Sequence, residues 1–265
     1  MIKLVVTDLD GTLLDSQGKL SQANLDAVAR LAEMGIPTVA ATARSPRTTR
    51  HVWSKAGLGR QAICANGALV FDMHADKVLS DAVIGSQIAH RVISFIRAEF
   101  PAAIMAGEQL EDFYPEPGFF RAPVIDLDVA EIHDLDKHVD AGMHKMIARV
   151  EGISSELLRD HLGEYLSTMV DVTISGPDWI EFGPHGVSKA TGVQHLCELL
   201  GIEARDVAAV GDQRNDLTML KYVGHPLTVA NAHPDVKAIA ETILPDNNSS
   251  GFSGIVDYVS ELEDN

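Results

Sequence analysis

Two clusters of carboxylates, each placed directly after a short apolar run, are the residues of this chain best suited to chemistry. The first is Asp8-Leu9-Asp10-Gly11-Thr12-Leu13-Leu14, after the β-branched run at residues 2–7. The second is Gly211-Asp212-Gln213-Arg214-Asn215-Asp216, after the apolar residues 207–210. Runs of this kind predict buried parallel strands, and open α/β sheets bind ligands beyond the carboxyl ends of their strands. Side chains at i and i+2 of an extended chain start on one side, so Asp8 and Asp10 are expected to converge. Gly11 then lets the chain turn away without a Cβ. Two carboxylates so close repel unless a cation or a proton separates them, which predicts metal-assisted or acid/base chemistry. Asp216 lies four residues beyond Asp212, within one turn of a following helix. Magnesium takes a few carboxylates together with water and phosphate oxygens, so Asp8, Asp212 and Asp216 are candidate ligands for Mg2+. The plain alternatives are an Asp-Gly turn with solvated carboxylates and a loop with an aspartate N-cap.

Thr42, in Ala41-Thr42-Ala43-Arg44, closes a second apolar run. A hydroxyl and successive backbone N–H groups before a helix can cradle an anion, although threonine there also serves simply to start a helix. Lys189, in Gly186-Val187-Ser188-Lys189, opens a helical pattern. A lone lysine is ordinarily a solvated surface residue, but beside clustered carboxylates its charge would offset them and transferred phosphoryl oxygens. Arg44 and Arg47 flank the threonine turn and either read a substrate or lie on a helix surface. Asn66, after the third apolar run, is a candidate for facing the cleft.

The elements needed to position these residues can be read around them. Residues 2–7, 36–41 and 62–65 predict strands, and residues 21–34 and 45–56 predict helices, the first with Ser21 as N-cap and Gly35 as stop. This is β-α-β-α-β, the signature of a parallel sheet. The style then changes. Residues 68–72 and 77–83 read as a hairpin around a polar turn at 74–76, followed by an amphipathic helix after Gly85 and a Pro- and aromatic-rich stretch at 113–123. Residues 143–150 and 169–175 read as strands and 154–166 as a helix, which suits an inserted α+β domain over 84–183. From Val187 the alternation returns, with a helix at 189–200, a strand at 207–210, a helix opening near Asp216, a strand at 227–229, a helix at 232–240 and a last one near 254–259. Residues 1–83 and 184–265 are therefore expected to form one discontinuous domain.

Four motifs in this order resemble the haloacid-dehalogenase superfamily, most closely its Cof-type phosphatases. They are DLDGTLL, ATAR with Asn66-Gly67-Ala68, the Ser188-Lys189 pair, and GDQRND with the following MLK; the similarity extends to Ala230-Asn231-Ala232 and to residues 248–251. The resemblance implies a Rossmann-like parallel-sheet core with an inserted α/β cap. It implies Asp8 as the nucleophile forming an aspartyl-phosphate and Asp10 as acid and then base, its backbone carbonyl also reaching the metal. Thr42, Ala43, Lys189 and Asn215 would hold the phosphoryl group, and Asp212, with Asp216 in support, would bind Mg2+. The family usually has glycine where this chain has Ala43, so the cradle requires a negative φ there.

A net charge of -17 argues against a nucleic-acid partner, whose backbone needs a basic surface. No apolar run reaches the ~18 residues of a membrane span, and the first residues lack the apolar stretch and cleavage site of a signal peptide. The expected location is cytoplasmic, the expected partner a phosphorylated small molecule, and Cys64 and Cys197 are expected to be buried free thiols. None of the eleven histidines pairs with another at metal-ligand spacing. His185 is a candidate for the mouth of the site, and Tyr114, Glu116, Arg121 and His144 for substrate contact from the insertion. Rival readings are a phosphomutase, which returns phosphate to its substrate, a catalytically idle sugar-phosphate sensor, and a receiver domain. The last is shorter, lacks a cap and carries its acceptor on a middle strand.

Overall fold

The computed structural model describes residues 1–120, 134–176 and 179–263. The chain divides into two compact units, Met1–Ser80 with Ser188–Asn265, and Asp81–Val187.

The first unit is organised by its strands. β1 (Leu4–Thr7), β2 (Thr38–Ala41), β3 (Gln61–Cys64), β4 (Leu69–Asp72) and β5 (Lys77–Asp81) come from the first part of the chain. β11 (Val207–Gly211), β12 (His225–Val229) and β13 (Thr242–Leu244) come from the last. They form one sheet in the order β13-β12-β11-β1-β2-β3-β4-β5. Pairing is parallel from β13 to β3 and antiparallel between β3 and β4. β1 is therefore central, with Val6 opposite Ala209 on one side and Val39 on the other. All four of its residues are buried, as an interior parallel strand requires.

The helices of this unit start and stop on local chemistry. α1 (Gln22–Glu33) is capped by Ser21, whose side chain accepts from the Asn24 N–H at 3.2 Å. α2 (Pro46–Ala56) has proline in its first turn and ends on left-handed Gly57. α5 (Lys189–Leu200) opens with a reciprocal Ser188/Thr191 capping box and ends on left-handed Gly201. Leu31, Val52, Val193 and Leu196 from these helices join Val5, Val6, Ala208 and Val210 in one buried core, completed by α6 (Leu217–Tyr222) and α8 (Ile255–Glu263).

The second unit is an antiparallel sheet of β6 (Ile104–Gln109), β7 (Asp112–Pro115), β8 (Lys145–Arg149), β9 (Val170–Gly176) and β10 (Trp179–Pro184), in the order β7-β6-β8-β10-β9. Met105, Met146, Ala148, Ile180 and Phe182 pack with Ile93 and Ile96 of α3 (Ser86–Glu99) and Leu158 and Leu162 of α4 (Ser155–Leu166). The alternating residues Ala106, Ile147 and Trp179 form a smaller cluster with Phe113, Phe119 and Phe120. Glu108, Lys145 and Glu181 are also buried, on three adjacent strands.

The structure departs from the sequence reading in several elements. The helix expected at 232–240 is a single turn, α7 (Pro234–Lys237), because the chain leaves it to put Glu241 N–H on the Pro226 carbonyl and start β13. β13 itself is three residues before a proline, too short for a periodic signal. β6 was not anticipated: Ala106 and Gly107 give it weak strand propensity, and pairing on both sides overrides that. β7 spans the start of the Pro- and aromatic-rich stretch at 113–123, for which the sequence reading has no element, and β10 was likewise unread. Both cysteines are buried free thiols. Among the described residues, no helix is long and apolar enough to cross a membrane.

Candidate active site

Because β1, β2, β3 and β11 run parallel, their carboxyl ends share one edge of the sheet, and the residues just beyond them meet there. Asp8 continues the ladder for one residue, its N–H donating to the Val210 carbonyl at 2.9 Å, and its carboxylate is buried. Lys189, fully buried at the start of α5, donates Nζ to Asp8 Oδ1 and to Asp216 Oδ1, both at 2.6 Å. Asp216 uses its other oxygen to accept the N–H groups of Asp212 and Gln213, each at 2.9 Å, which closes the turn after β11. Asp212 Oδ1 accepts the Thr12 hydroxyl at 2.8 Å, and the weaker Gln213 amide contact at 3.3 Å falls on Oδ2.

Asp8, Asp212 and Asp216 form the one group of three possible metal-ligating side chains found among the described residues, with ligand atoms within 4.8 Å of one another. Two glycines make this density possible. A Cβ on Gly11, whose φ is +84°, would lie 2.5 Å from Asp212 Oδ2, and one on Gly211 would lie 2.5 Å from Asp216 Cγ. No other residue lets these backbones approach the carboxylates.

The electrostatics follow from burial. Desolvation pushes the Asp8 carboxyl well above its ordinary range; Lys189 pulls it back, while Asp216, Asp212 and Asp10 push it further up. Asp212 is pushed up to about 6, chiefly by burial and then by Asp216, against the lowering effect of the Thr12 hydrogen bond and Lys189. Burial alone would lower Lys189, but the flanking Asp216 and Asp8 outweigh it and raise its pKa above the usual lysine value. The ammonium is therefore held charged. Three carboxylates against one ammonium leave the cluster short of positive charge, and hard oxygen donors at this spacing suit a small divalent cation.

Asp10 does not enter this cluster. The strand ends at Thr7, so the i, i+2 alternation expected for Asp8 and Asp10 does not apply. Asp10 is exposed, and Arg44 grips it at both oxygens, Nε to Oδ2 at 2.7 Å and Nη2 to Oδ1 at 2.5 Å. Thr42 is buried at the tip of β2, and its hydroxyl accepts the Arg44 N–H at 3.1 Å. Ala43 does not take a positive φ, so alanine is accommodated there without strain. Asn66 is left-handed with φ 56°, and its Oδ1 accepts the Asn215 amide at 3.1 Å, whereas Asn215 Oδ1 is buried without a hydrogen-bond partner. Arg47 is a half-buried residue of α2.

The candidates from the insertion take part in contacts within the second unit. Glu116 accepts Arg97 at 2.6 Å and the Met105 N–H at 3.0 Å, and the Tyr114 ring lies 4.7 Å from that of His138. His144 is buried; its Nδ1 accepts the Leu110 N–H at 3.1 Å, and burial lowers its pKa. His185 is exposed, 3.3 Å from Asp171. Arg121 lies outside the described residues.

Sequence reasoning missed Thr12 and three asparagines. Thr12 stood inside the first motif with no role assigned, and its hydroxyl turns out to hold Asp212. Asn24, Asn231 and Asn247 each donate to a carbonyl of the loop after Asp10, at Leu13, Gly11 and Leu14. Only Asn231 lay in a stretch already noticed, Ala230-Asn231-Ala232, and nothing in its neighbours pointed to Gly11.

A mostly parallel sheet with three carboxylates gathered around a buried lysine beyond its strand ends defines an α/β protein with a candidate cation and anion site at the carboxyl edge. The chain belongs to the haloacid dehalogenase-like hydrolase family, whose model matches residues 5–256, and it is an enzyme of that family. A Haemophilus influenzae protein, named provisionally as a phosphatase, is 26% identical over 260 residues, covering 97% of this chain and 98% of its own. The fold is shared with a provisionally named HAD/COF-like hydrolase from Plasmodium vivax (TM-score 0.86, 22% identity, 98% of this chain and 96% of the other). It is shared equally with a subclass IIB sugar phosphatase (TM-score 0.84, 16% identity, 97% and 99%).

Proposed function

We propose that this enzyme is a Mg2+-dependent phosphatase that hydrolyses a small phosphorylated metabolite through an aspartyl-phosphate on Asp8. The observation that carries this reading is the Asp8 carboxylate, buried at a strand tip, fixed by a charged lysine and set beside Asp212 and Asp216. Oδ2 of Asp8 attacks phosphorus in line while the bond to the leaving oxygen breaks, and Asp10 supplies the proton that the departing alkoxide takes. Water then attacks the phosphorus of the acyl phosphate, Asp10 takes its proton, and inorganic phosphate and free Asp8 result. For this, Asp10 must turn away from Arg44. Thr42, the backbone around Ala43, Asn215 and Lys189 receive the phosphoryl oxygens, where positioning and charge neutralisation do most of the work.

The donor set fits Mg2+. Asp8, whose Oδ2 is the attacking atom, would hold the cation through Oδ1, the oxygen that also accepts Lys189. Asp212 would hold it through Oδ2, which carries only the long 3.3 Å contact from Gln213, with the Asp10 backbone carbonyl as the third ligand that the family resemblance implies. Asp216 has both oxygens engaged, so it supports the others. The cation supplies neutralisation of the charge gathering on phosphoryl oxygens.

Residues 84–183 serve in this reading as the cap, which governs specificity. The fold shared with a sugar phosphatase favours a sugar phosphate over a nucleotide or phosphorylated cofactor. Release of inorganic phosphate across a panel of phosphorylated metabolites with Mg2+ tests the activity, and isomer formation without phosphate release would replace it with a mutase. Fluoroberyllate is expected to bind on Asp8, and a crystal saturated with it that shows none there would reject the covalent step.

A further inference from the structure

The loop from Gly11 to Leu14 carries the turn on which the site depends, yet beyond the single bridge between Asp10 and Leu14 it has no strand pairing to satisfy its carbonyls. Three carboxamides far apart in sequence do so. Asn231 Nδ2 donates to the Gly11 carbonyl at 2.8 Å, Asn24 Nδ2 to Leu13 at 2.9 Å, and Asn247 Nδ2 to Leu14 at 3.0 Å. Two of their oxygens are used as well: Asn231 Oδ1 accepts the Asn247 N–H at 2.9 Å, and Asn24 Oδ1 accepts the Ser253 N–H at 3.1 Å. Two residues past Asn231, the His233 N–H donates to the Asp212 carbonyl at 2.8 Å. The turn after β12 thus holds the loop beyond β1 by the Gly11 carbonyl and the loop beyond β11 by the Asp212 carbonyl, the two residues between which a Cβ on Gly11 would find no room.

We propose that Asn231 is a positioning residue of the reaction, holding the Gly11 turn against Asp212 so that the carboxylates keep the spacing a cation needs. The chemistry selects asparagine: a carboxamide donates and accepts at once and brings no charge. Aspartate could not donate to Gly11 and would add a fourth negative group to the cluster, and lysine could not accept from Asn247. Asn231 thereby links the last part of the chain to the nucleophile's loop, across 220 residues of sequence.

The inference rests on the reading of Asp8 and Asp212 as a metal-assisted phosphatase site, and the test separates the two. Asn231→Ala and Asn231→Asp are compared with wild type in aryl phosphate hydrolysis and, independently, in Mn2+ binding followed by electron paramagnetic resonance. The expected result is an approximately tenfold loss of kcat with KM within about twofold, and Mn2+ binding weaker by about tenfold, the range of outer partners at metal sites. Ile36→Ala, a core truncation remote from the site, controls for lost stability. Wild-type behaviour of both variants, or an equal kcat and Mn2+ loss in the control at matched Tm, overturns the proposal. Should the wild type release no phosphate, the functional reading falls, and the Mn2+ measurement still decides whether Asn231 positions the cluster.

Discussion

Two lysines in this chain are each buried between two carboxylates, and their surroundings make them different devices. Lys189 lies between Asp8 and Asp216 at the tips of parallel strands, with Asp212 adjacent. Lys145 lies between Glu108, at 2.9 Å, and Glu181, at 3.1 Å, on the neighbouring strands β6, β8 and β10. Both ammonium groups are held charged, raised above the ordinary lysine value by their carboxylates against the effect of burial. The second arrangement is a cross-strand one, with Glu108 directly opposite Lys145 in the register. The first gathers groups from loops, where the backbone can approach closely and a third carboxylate can be added. Both clusters hold more carboxylate than ammonium; what sets the first apart is the third carboxylate, Asp212, and its place beyond the strand ends, where a ligand can reach it.

The largest expected difference is in turnover. Asp8→Asn should reduce phosphate release by about 10³-fold or more while leaving the fold intact, as loss of a nucleophile does. Glu181→Gln should leave kcat within about tenfold and lower Tm instead. Substantial activity in Asp8→Asn would erase the contrast. Next in size is stability: Lys145→Met strands two buried glutamates and should cost about 3–5 kcal/mol in denaturant unfolding. Replacing the whole triplet, Glu108→Leu with Lys145→Met and Glu181→Leu, should recover most of that loss, and failure to recover would mean these charges serve more than packing.

The third difference is in pH dependence. Asp212 is raised to about 6, so its protonated form is favoured by the fold. Its contribution is fully present below the unfolded value near 3.8 and is lost as pH rises through about 6, on the order of 2–3 kcal/mol. Mg2+ needs the ionised form, so the Tm gain on adding Mg2+ should grow between pH 4 and about 7. Lys145, raised rather than lowered, keeps its contribution throughout that window. A Mg2+ gain that does not change with pH would remove Asp212 from the metal shell. The smallest effect is at Thr12, whose hydroxyl holds Asp212: Thr12→Val should raise the Mg2+ half-saturation by about tenfold and Thr12→Ser should restore it. Equal loss in both would assign Thr12 to packing.

Much of the site was legible because strand-end chemistry is local. The runs before Asp8 and Asp212 are apolar and β-branched, and the glycines beside them announce close approach. What stayed illegible depends on distant partners. Asp10 looked like a companion of Asp8, but the chain leaves extended geometry at Thr7 and Arg44 captures it. Asn24 and Asn247 resemble ordinary polar residues until the loop they brace is folded beneath them. In the second unit, β6 and β10 were unread because their stability comes from neighbouring strands, with Gly107, Gly183 and Pro184 weakening any local signal.

From its amino acids alone this chain determines that the segments of β1, β2, β3 and β11 are buried strands, roughly where they stop, that carboxylates and a threonine follow those stops, and that a lysine opens a later helix. Periodicity and turn residues are properties of neighbours in sequence, so they survive without the fold. Tertiary structure alone decided that Lys189 is buried between Asp8 and Asp216, that Thr12 and not Gln213 makes the shorter contact to Asp212, and that three asparagines carry the Gly11 loop. Those outcomes depend on sheet order and on distances between residues up to 233 apart in sequence, which no local pattern encodes.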